Sequence, residues 1–151
     1  SMIAKNCNAV VPNKGTLTEA DTAILDQASA ALERARVAMK DQGINTALAG
    51  IFAVVAEANR YFAAQEPWAL KKTDPARMET VLYTTAEVIR RVGIMCLAFI
   101  PGSAAKLLDL LAVPEDARSF AHLSDAYALS SGTPLPAPQP VFPRYVDKEE
   151  A

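Results

Sequence analysis

Apolar residues recur along this chain at helical spacing, and the spacing predicts successive helices. In residues 1–11, Met2, Ile3 and Val10 are apolar. That stretch reads as the last turns of a helix, stopped by Pro12 and Asn13, with Gly15 beyond. No capping residue precedes Met2, so this helix is expected to start upstream. A second helix opens at Thr18, a good N-cap, with Glu19 and Asp21 in its first turn. Its stripe is Ile24, Ala28, Ala31, Leu32, Ala35 and Met39, and Gly43 is expected to end it. A third runs over 45–65, on Leu48, Ile51, Phe52, Val55, Asn59 and Phe62. Pro67 interrupts it, because proline disfavours helical geometry in the residue before it.

Trp68 to Thr73 reads as a short connector. Asp74 then caps a fourth helix with Pro75 at its first position, where a missing N–H costs nothing. Met78, Val81, Leu82, Thr85, Val88, Ile89, Val92 and Met95 face one way, and Glu87 and Arg91 are spaced to pair on the other. Gly93 to Ile100 is apolar all round and belongs in the middle of a core. Pro101 ends that helix, and Ser103 caps a fifth carrying Leu107, Leu108, Leu110 and Leu111. A short helix is expected from about Pro114 to Phe120. Five prolines then fall between Pro134 and Pro143 and give an extended arm without a packing period; Asp147 to Ala151 reads as a frayed, charged end. No stretch alternates long enough to make a strand. The expected fold is all-α: an antiparallel bundle of about five helices over 1–130, with an extended Pro-rich C-terminal arm over 131–151.

Composition narrows the function classes. The 151 residues carry a net charge of −2, which argues against a free-standing nucleic-acid binder. It leaves room for a module that makes a few base contacts while another domain holds the phosphates. Cys7 and Cys96 have no metal-ligand spacing, so neither zinc nor a disulfide is assigned, and two free thiols fit a reducing cytoplasm. No signal peptide is expected from the opening residues. The longest apolar run, Val92 to Pro101, is far short of the ~20 residues that span a bilayer, so no membrane is expected.

Catalytic constellations do not assemble. Glu79 and Glu87 read as solvated helix faces, and Glu149 and Glu150 sit in the tail. His122, the single histidine, has no ligand or base partner at useful spacing and reads as structural. No Gly-x-Ser-x-Gly and no phosphate-cradling glycine cluster occurs. What remains is the run from Asn59 to Trp68. Trp68, the single tryptophan, follows Pro67 at a helix break near the surface. It either caps the end of the core or stacks on an unpaired base, a contact worth about 1–3 kcal/mol. The pattern alone leans to the first. Asn59 either pins its helix to a neighbour or lies at the floor of a pocket beside Trp68, and again the first reading leads. Lys71, Lys72 and Arg77 form either a solvated face or a site for a bound phosphate.

Ala58-Asn59-Arg60-Tyr61, then Gln65-Glu66-Pro67-Trp68-Ala69-Leu70-Lys71, resembles the A-N-R-Y … Q-x-P-W-x-x-x-K signature of methionyl-tRNA synthetases. The helix with Leu82, Glu87, Val88 and Arg90-Arg91-Val92, ending in Phe99-Ile100-Pro101, resembles that family's next helix. Pro140-Val141-Phe142-Pro143-Arg144 resembles its L-F-P-R, and Ser1 to Asn6 the second half of its first anticodon-domain helix. The resemblance implies a helical domain that recognises the CAU anticodon of tRNA(Met). Trp68, presented by Pro67, would stack on the cytosine; Asn59 and Lys5 would lie in the same site, with Lys71 and Lys72 on phosphates. The family's Asn-x-x-x-Arg motif would fall just before Ser1, ending three residues upstream. Neither nucleotide-site signature of the catalytic domain is present.

The resemblance therefore implies no cofactor and no aminoacylation in this chain itself, ATP use only in the full-length ligase, and weak tRNA binding. Its further implications are a catalytic domain as intramolecular partner, a monomeric state, since no oligonucleotide-binding barrel follows, and a cytoplasmic location. It reverses the balance for Trp68 toward base stacking. The rival reading is a helical protein–protein interaction module using the Pro-rich arm.

Overall fold

The computed structural model describes residues 2–143 and consists of six α-helices followed by three single 3₁₀ turns. They are α1 (Met2–Asn6), α2 (Glu19–Lys40), α3 (Ile44–Gln65), α4 (Pro67–Thr73), α5 (Pro75–Cys96) and α6 (Pro101–Leu110). The all-α expectation holds. Among the described residues the only β pairing is an isolated antiparallel bridge, Val10 with Pro134.

α5 is the axis of the bundle. From Thr80 to Cys96 it is buried almost all round, the condition of a helix surrounded on every side. α2, α3, α4 and α6 pack against it. Ile24, Ala28, Ile51, Val54, Val81, Val88, Ile94 and Leu108 make the main core. A second apolar cluster forms at one end. There Met2 and Ile3 of α1, Phe62 of α3 and Leu70 of α4 gather around Cys7, Met78 and Leu82.

Several boundaries depart from the sequence reading. α1 stops at Asn6, because Asn8 and Ala9 turn into the left-handed region (φ 51° and 55°). The apolar residues after it are recruited elsewhere. Val11 donates to the Thr133 carbonyl and accepts from the Gly132 amide, both at 2.8 Å, and the Leu135 amide donates to the Ala9 carbonyl. The arm is thereby tied down along its start. At Gly15 (φ +58°) the chain passes so close to α5 that a Cβ would lie 2.3 Å from the Thr80 hydroxyl oxygen.

The left-handed residue that ends α2 is Gln42 (φ 56°), one before Gly43. α6 starts at Pro101, in its first position, two residues before the expected cap Ser103. The short helix expected near 114–120 is instead three 3₁₀ turns, Glu115–Ala117, Phe120–Leu123 and Asp125–Tyr127. The connector at Trp68 is itself a helix, α4. The buried line of α3 is Ala47, Ile51, Val54 and Tyr61. Of the expected stripe, Ile51 is buried and Val55 and Phe62 pack against the core, while Phe52 and Asn59 are exposed. Within the stretch containing α3 (Ile44–Thr73), an 18-residue window stands out for its hydropathy. Its mean hydropathy reaches 1.2, long and apolar enough by composition to cross a membrane. The left-handed Glu66 breaks that stretch in two. Arg144 and the charged residues 147–151 lie outside the described residues.

Candidate nucleic-acid interface

α3 and α4 meet at a single inverted residue. Glu66 ends α3 and begins α4 in the left-handed conformation (φ 44°, ψ 56°). Pro67 takes the first position of α4, where its fixed φ fits and no N–H is lost. The Glu66 carbonyl accepts from Ala69 and Leu70 at 2.8 and 3.2 Å and starts the new helix. Pro67 is buried under this corner and Trp68 stands on it, 52% exposed. The tryptophan is therefore not a core cap. Its one aromatic neighbour among the described residues is Phe62, with ring centres 6.1 Å apart and tilted by 59°. This supports one edge of the indole and leaves room for a second planar group.

Lys71 and Lys72 occupy the last turn of α4 and are exposed, as is Lys5 in the last turn of α1. Ile3 of α1 and Leu70 of α4 pack on the same cluster of Cys7, Met78 and Leu82, so the three cations and Trp68 belong to one end of the bundle. Arg77 does not join them. Its guanidinium donates to both Asp21 carboxylate oxygens and, at 2.6 Å, to the Gln65 side-chain oxygen. It is a structural cation, not a phosphate contact.

Asn59 departs from both readings given to it. It is exposed, so it pins nothing in the core. It lies on the wall of an open, largely apolar groove of about 580 Å³ between α3, α5 and α6, with Phe52, Val55, Phe62, Val88 and Val92. Phe62, not Asn59, is the residue shared by the groove and the Trp68 corner.

Two buried polar networks go beyond the sequence reading, which expected only the Glu87–Arg91 pair and placed it in solvent. In the first, Asp21 is wholly buried. It accepts from the Thr18 amide and hydroxyl, from the Tyr61 hydroxyl and from Arg77. Burial pushes the Asp21 carboxyl up, but the Arg77, Tyr61 and Thr18 donors outweigh it and hold it at about 2. Burial, reinforced by Asp21, raises the Tyr61 phenol well above its usual range. Tyr61 and Gln65, two residues of the resembled signature, are thus fastened to α2 and α5.

In the second, Glu87 is not a solvated face but 1% exposed. It accepts from Arg90 at 2.7 and 2.9 Å, from Arg91 at 2.9 Å and from the Leu129 amide at 3.1 Å. Arg90 also reaches the His122 carbonyl, and Arg91 the Leu25 carbonyl and Asp125. This network fixes the 3₁₀ segment. His122 has the structural role expected of it, bonding Ser119 through Nδ1 and meeting Tyr127 edge to face. The signal for the second network was the acid–base spacing inside an apolar helix, Glu87 to Arg90 and Arg91; the first joins residues far apart in sequence and carried no local signal.

Among the described residues no group of three or more His, Cys, Asp or Glu side chains is placed to hold a metal ion. Cys7 and Cys96 are buried free thiols, each pushed up by burial. What the Trp68 corner offers is a supported aromatic face, a rigid backbone and exposed cations at one end of a helical bundle. These are the parts of a site for an unstacked base on a phosphate backbone.

A family model described as the anticodon binding domain of methionyl tRNA ligase matches residues 11–151. The methionine–tRNA ligase of Mesorhizobium japonicum is 69% identical over 151 residues, which is 100% of this chain and 29% of that protein. That of Brucella suis is 70% identical over 150 residues, 99% of this chain and 29% of that protein. The apo crystal structure of Mycobacterium tuberculosis methionyl-tRNA synthetase superimposes with a TM-score of 0.91 at 42% identity, covering 98% of this chain and 30% of that one. The same enzyme bound by methionyl-adenylate gives 0.90, covering 95% of this chain and 29% of that one. The chain thus spans under a third of the length of the relatives it matches. A family match over nearly the whole chain, and this closeness in both sequence and fold, place the chain in the family of anticodon-binding domains of methionyl-tRNA ligases.

Proposed function

We propose that this chain is the tRNA-reading part of a methionine–tRNA ligase, and that Trp68 reads the CAU anticodon of tRNA(Met) by stacking on one of its bases. The observation that carries this is the exposure of Trp68 on a corner made rigid by Pro67 and Glu66. An aromatic side chain of this size is usually withdrawn from water unless something else covers it. Lys5, Lys71 and Lys72 lie at the same end and supply charge to the flanking phosphates. Asn59, on the groove wall beyond Phe62, stands at the edge of this surface. In the whole ligase ATP activates methionine, and that chemistry belongs to a catalytic domain on which this bundle docks. The reading extends to a monomeric, cytoplasmic enzyme, and sedimentation of the full-length protein tests its monomeric state.

The test is Trp68→Ala in the full-length ligase. Discrimination between tRNA(Met) and a tRNA with an altered anticodon should fall by about 1–3 kcal/mol. Methionine-dependent pyrophosphate exchange should be unchanged. Undiminished discrimination in a folded variant would sink the stacking role.

The rival reading, a protein-interaction module built on the Pro-rich arm, needs that arm free. Its start is held by backbone hydrogen bonds to Ala9 and Val11. Leu135, Pro136, Pro138 and Val141 lie against the chain's own bundle and line a groove there with Phe62 and Ile89.

A further inference from the structure

Trp68 can read a base only if its ring is already in place, and the ring's position is decided by where α3 inverts. Besides the buried Pro67 and the packing of Leu70, one residue, Arg77, contacts the chain on both sides of that point. Its guanidinium holds the Gln65 side chain, immediately before the inversion at Glu66. Its backbone N–H donates to the Asp74 side chain at 3.0 Å, immediately after α4 ends. The seven residues of α4, too few to be a stable helix alone, are thus held between two attachments to Arg77. Arg77 in turn is anchored on Asp21, which is wholly buried in α2 and carries its own bonds to Thr18 and Tyr61. The Gln65 bond is the side-chain link of Arg77 that reaches the inversion without belonging to the buried Asp21 pair. Gln65 is half-buried, and its loss strands no charge, because Asp21 keeps Arg77 paired.

We infer that Gln65 and Arg77 are positioning residues for Trp68: they set the site of the helix inversion and so preorganise the indole for its base. The inference rests on the stacking reading of Trp68. A planar, forked guanidinium suits the task, since it reaches Asp21 and Gln65 at once; an ammonium offers a single point. Preorganisation of this kind acts on affinity for tRNA and leaves a remote chemical step alone.

The experiment uses the full-length ligase, with 5-fluorotryptophan incorporated and the Trp68 ¹⁹F resonance assigned by its loss in Trp68→Phe. In Gln65→Leu that resonance should shift or broaden in the free enzyme. The KM for tRNA should rise about tenfold, with kcat nearly kept. Gln65→Glu retains an acceptor for Arg77 and should restore both. Arg77→Lys should reproduce Gln65→Leu. In a double-variant cycle, Gln65→Leu should add almost nothing to Trp68→Ala, since one acts through the other.

An unmoved resonance with an unchanged KM in Gln65→Leu overturns the inference, and so does an additive cycle. If Trp68→Ala itself leaves KM unchanged, the stacking reading fails. The ¹⁹F line of Gln65→Leu then still decides whether Gln65 positions the ring.

Discussion

Asp21 of α2 and Arg77 of α5 form an ion pair in which the carboxylate is wholly buried and the guanidinium side chain is 17% exposed. The pair joins three helices, because Tyr61 of α3 bonds the same carboxylate. Its charge is sustained against burial by Arg77, Tyr61 and Thr18, which bring the carboxyl to about 2. A depressed carboxyl contributes stability that is complete above its unfolded value, near ~4, and is lost as pH falls through the folded one. Asp21→Asn should therefore cost about 2–3 kcal/mol at neutral pH. It should also flatten the fall in the urea midpoint between about pH 4 and pH 2. An undiminished fall across that window would assign the acid transition to other carboxylates.

The Glu87 network makes a harsher prediction. Arg90 is 1% exposed and Arg91 2%, and Glu87 is the carboxylate common to both. Glu87→Ala leaves two buried guanidiniums without it, a loss of about 3–5 kcal/mol in denaturant unfolding. The Leu129 amide loses its acceptor at the same time. Hydrogen exchange across residues 122–129 should then accelerate more than exchange in α2. A uniform acceleration would mean that the network does not specifically hold the 3₁₀ segment.

These two networks mark where the sequence was legible and where it was not. Helix existence followed from apolar period alone, because a 22-residue stripe must bury one face. The face was harder. In α3 apolar residues and alanines fall on more than one face, so the period placed Ile51 correctly but also turned Phe52 and Asn59 inward, where Val54 and Tyr61 are the buried residues. Glu87 read as solvated because burying a carboxylate is costly unless partners surround it, and two of those partners, the Leu129 amide and the His122 carbonyl beyond Arg90, lie over 30 residues away. Trp68 was legible as a corner residue through Pro67. The helix that follows was not, since seven residues carry too little period to see.

The helix ends offer a gain rather than a loss. Gln42 and Ala112 occupy the left-handed position that follows a helix (φ 56° and 53°). At both, the next amide reaches back to close the turn: Gly43 to the Ala38 carbonyl at 2.9 Å, Val113 to the Leu108 carbonyl at 3.1 Å. Glycine is the preferred residue there because a Cβ crowds the neighbouring carbonyl. Gln42→Gly and Ala112→Gly should each raise stability, by about 0.5–1 kcal/mol after the entropy of the unfolded glycine is counted. The sites sit on different helices and should add, which a thermal melt of the double variant measures. A lowered midpoint in either single variant would contradict the assignment of strain.

Lys71 and Lys72 separate charge from base reading. Both are exposed in the last turn of α4, one turn beyond Trp68, where a nucleotide stacked on the indole would bring its phosphates. A phosphate contact releases a bound counterion, so each should add about 0.7 to the salt slope of binding to a single-stranded loop. Lys71→Gln and Lys72→Gln in the full-length ligase should weaken binding to matched and mismatched anticodon loops alike, and each should lower the slope of log K against log salt by up to about 1. Trp68→Ala should do the opposite, narrowing the gap between matched and mismatched loops while leaving the slope in place. A lysine variant that changes loop preference without changing the slope would move that residue from the phosphates to the bases.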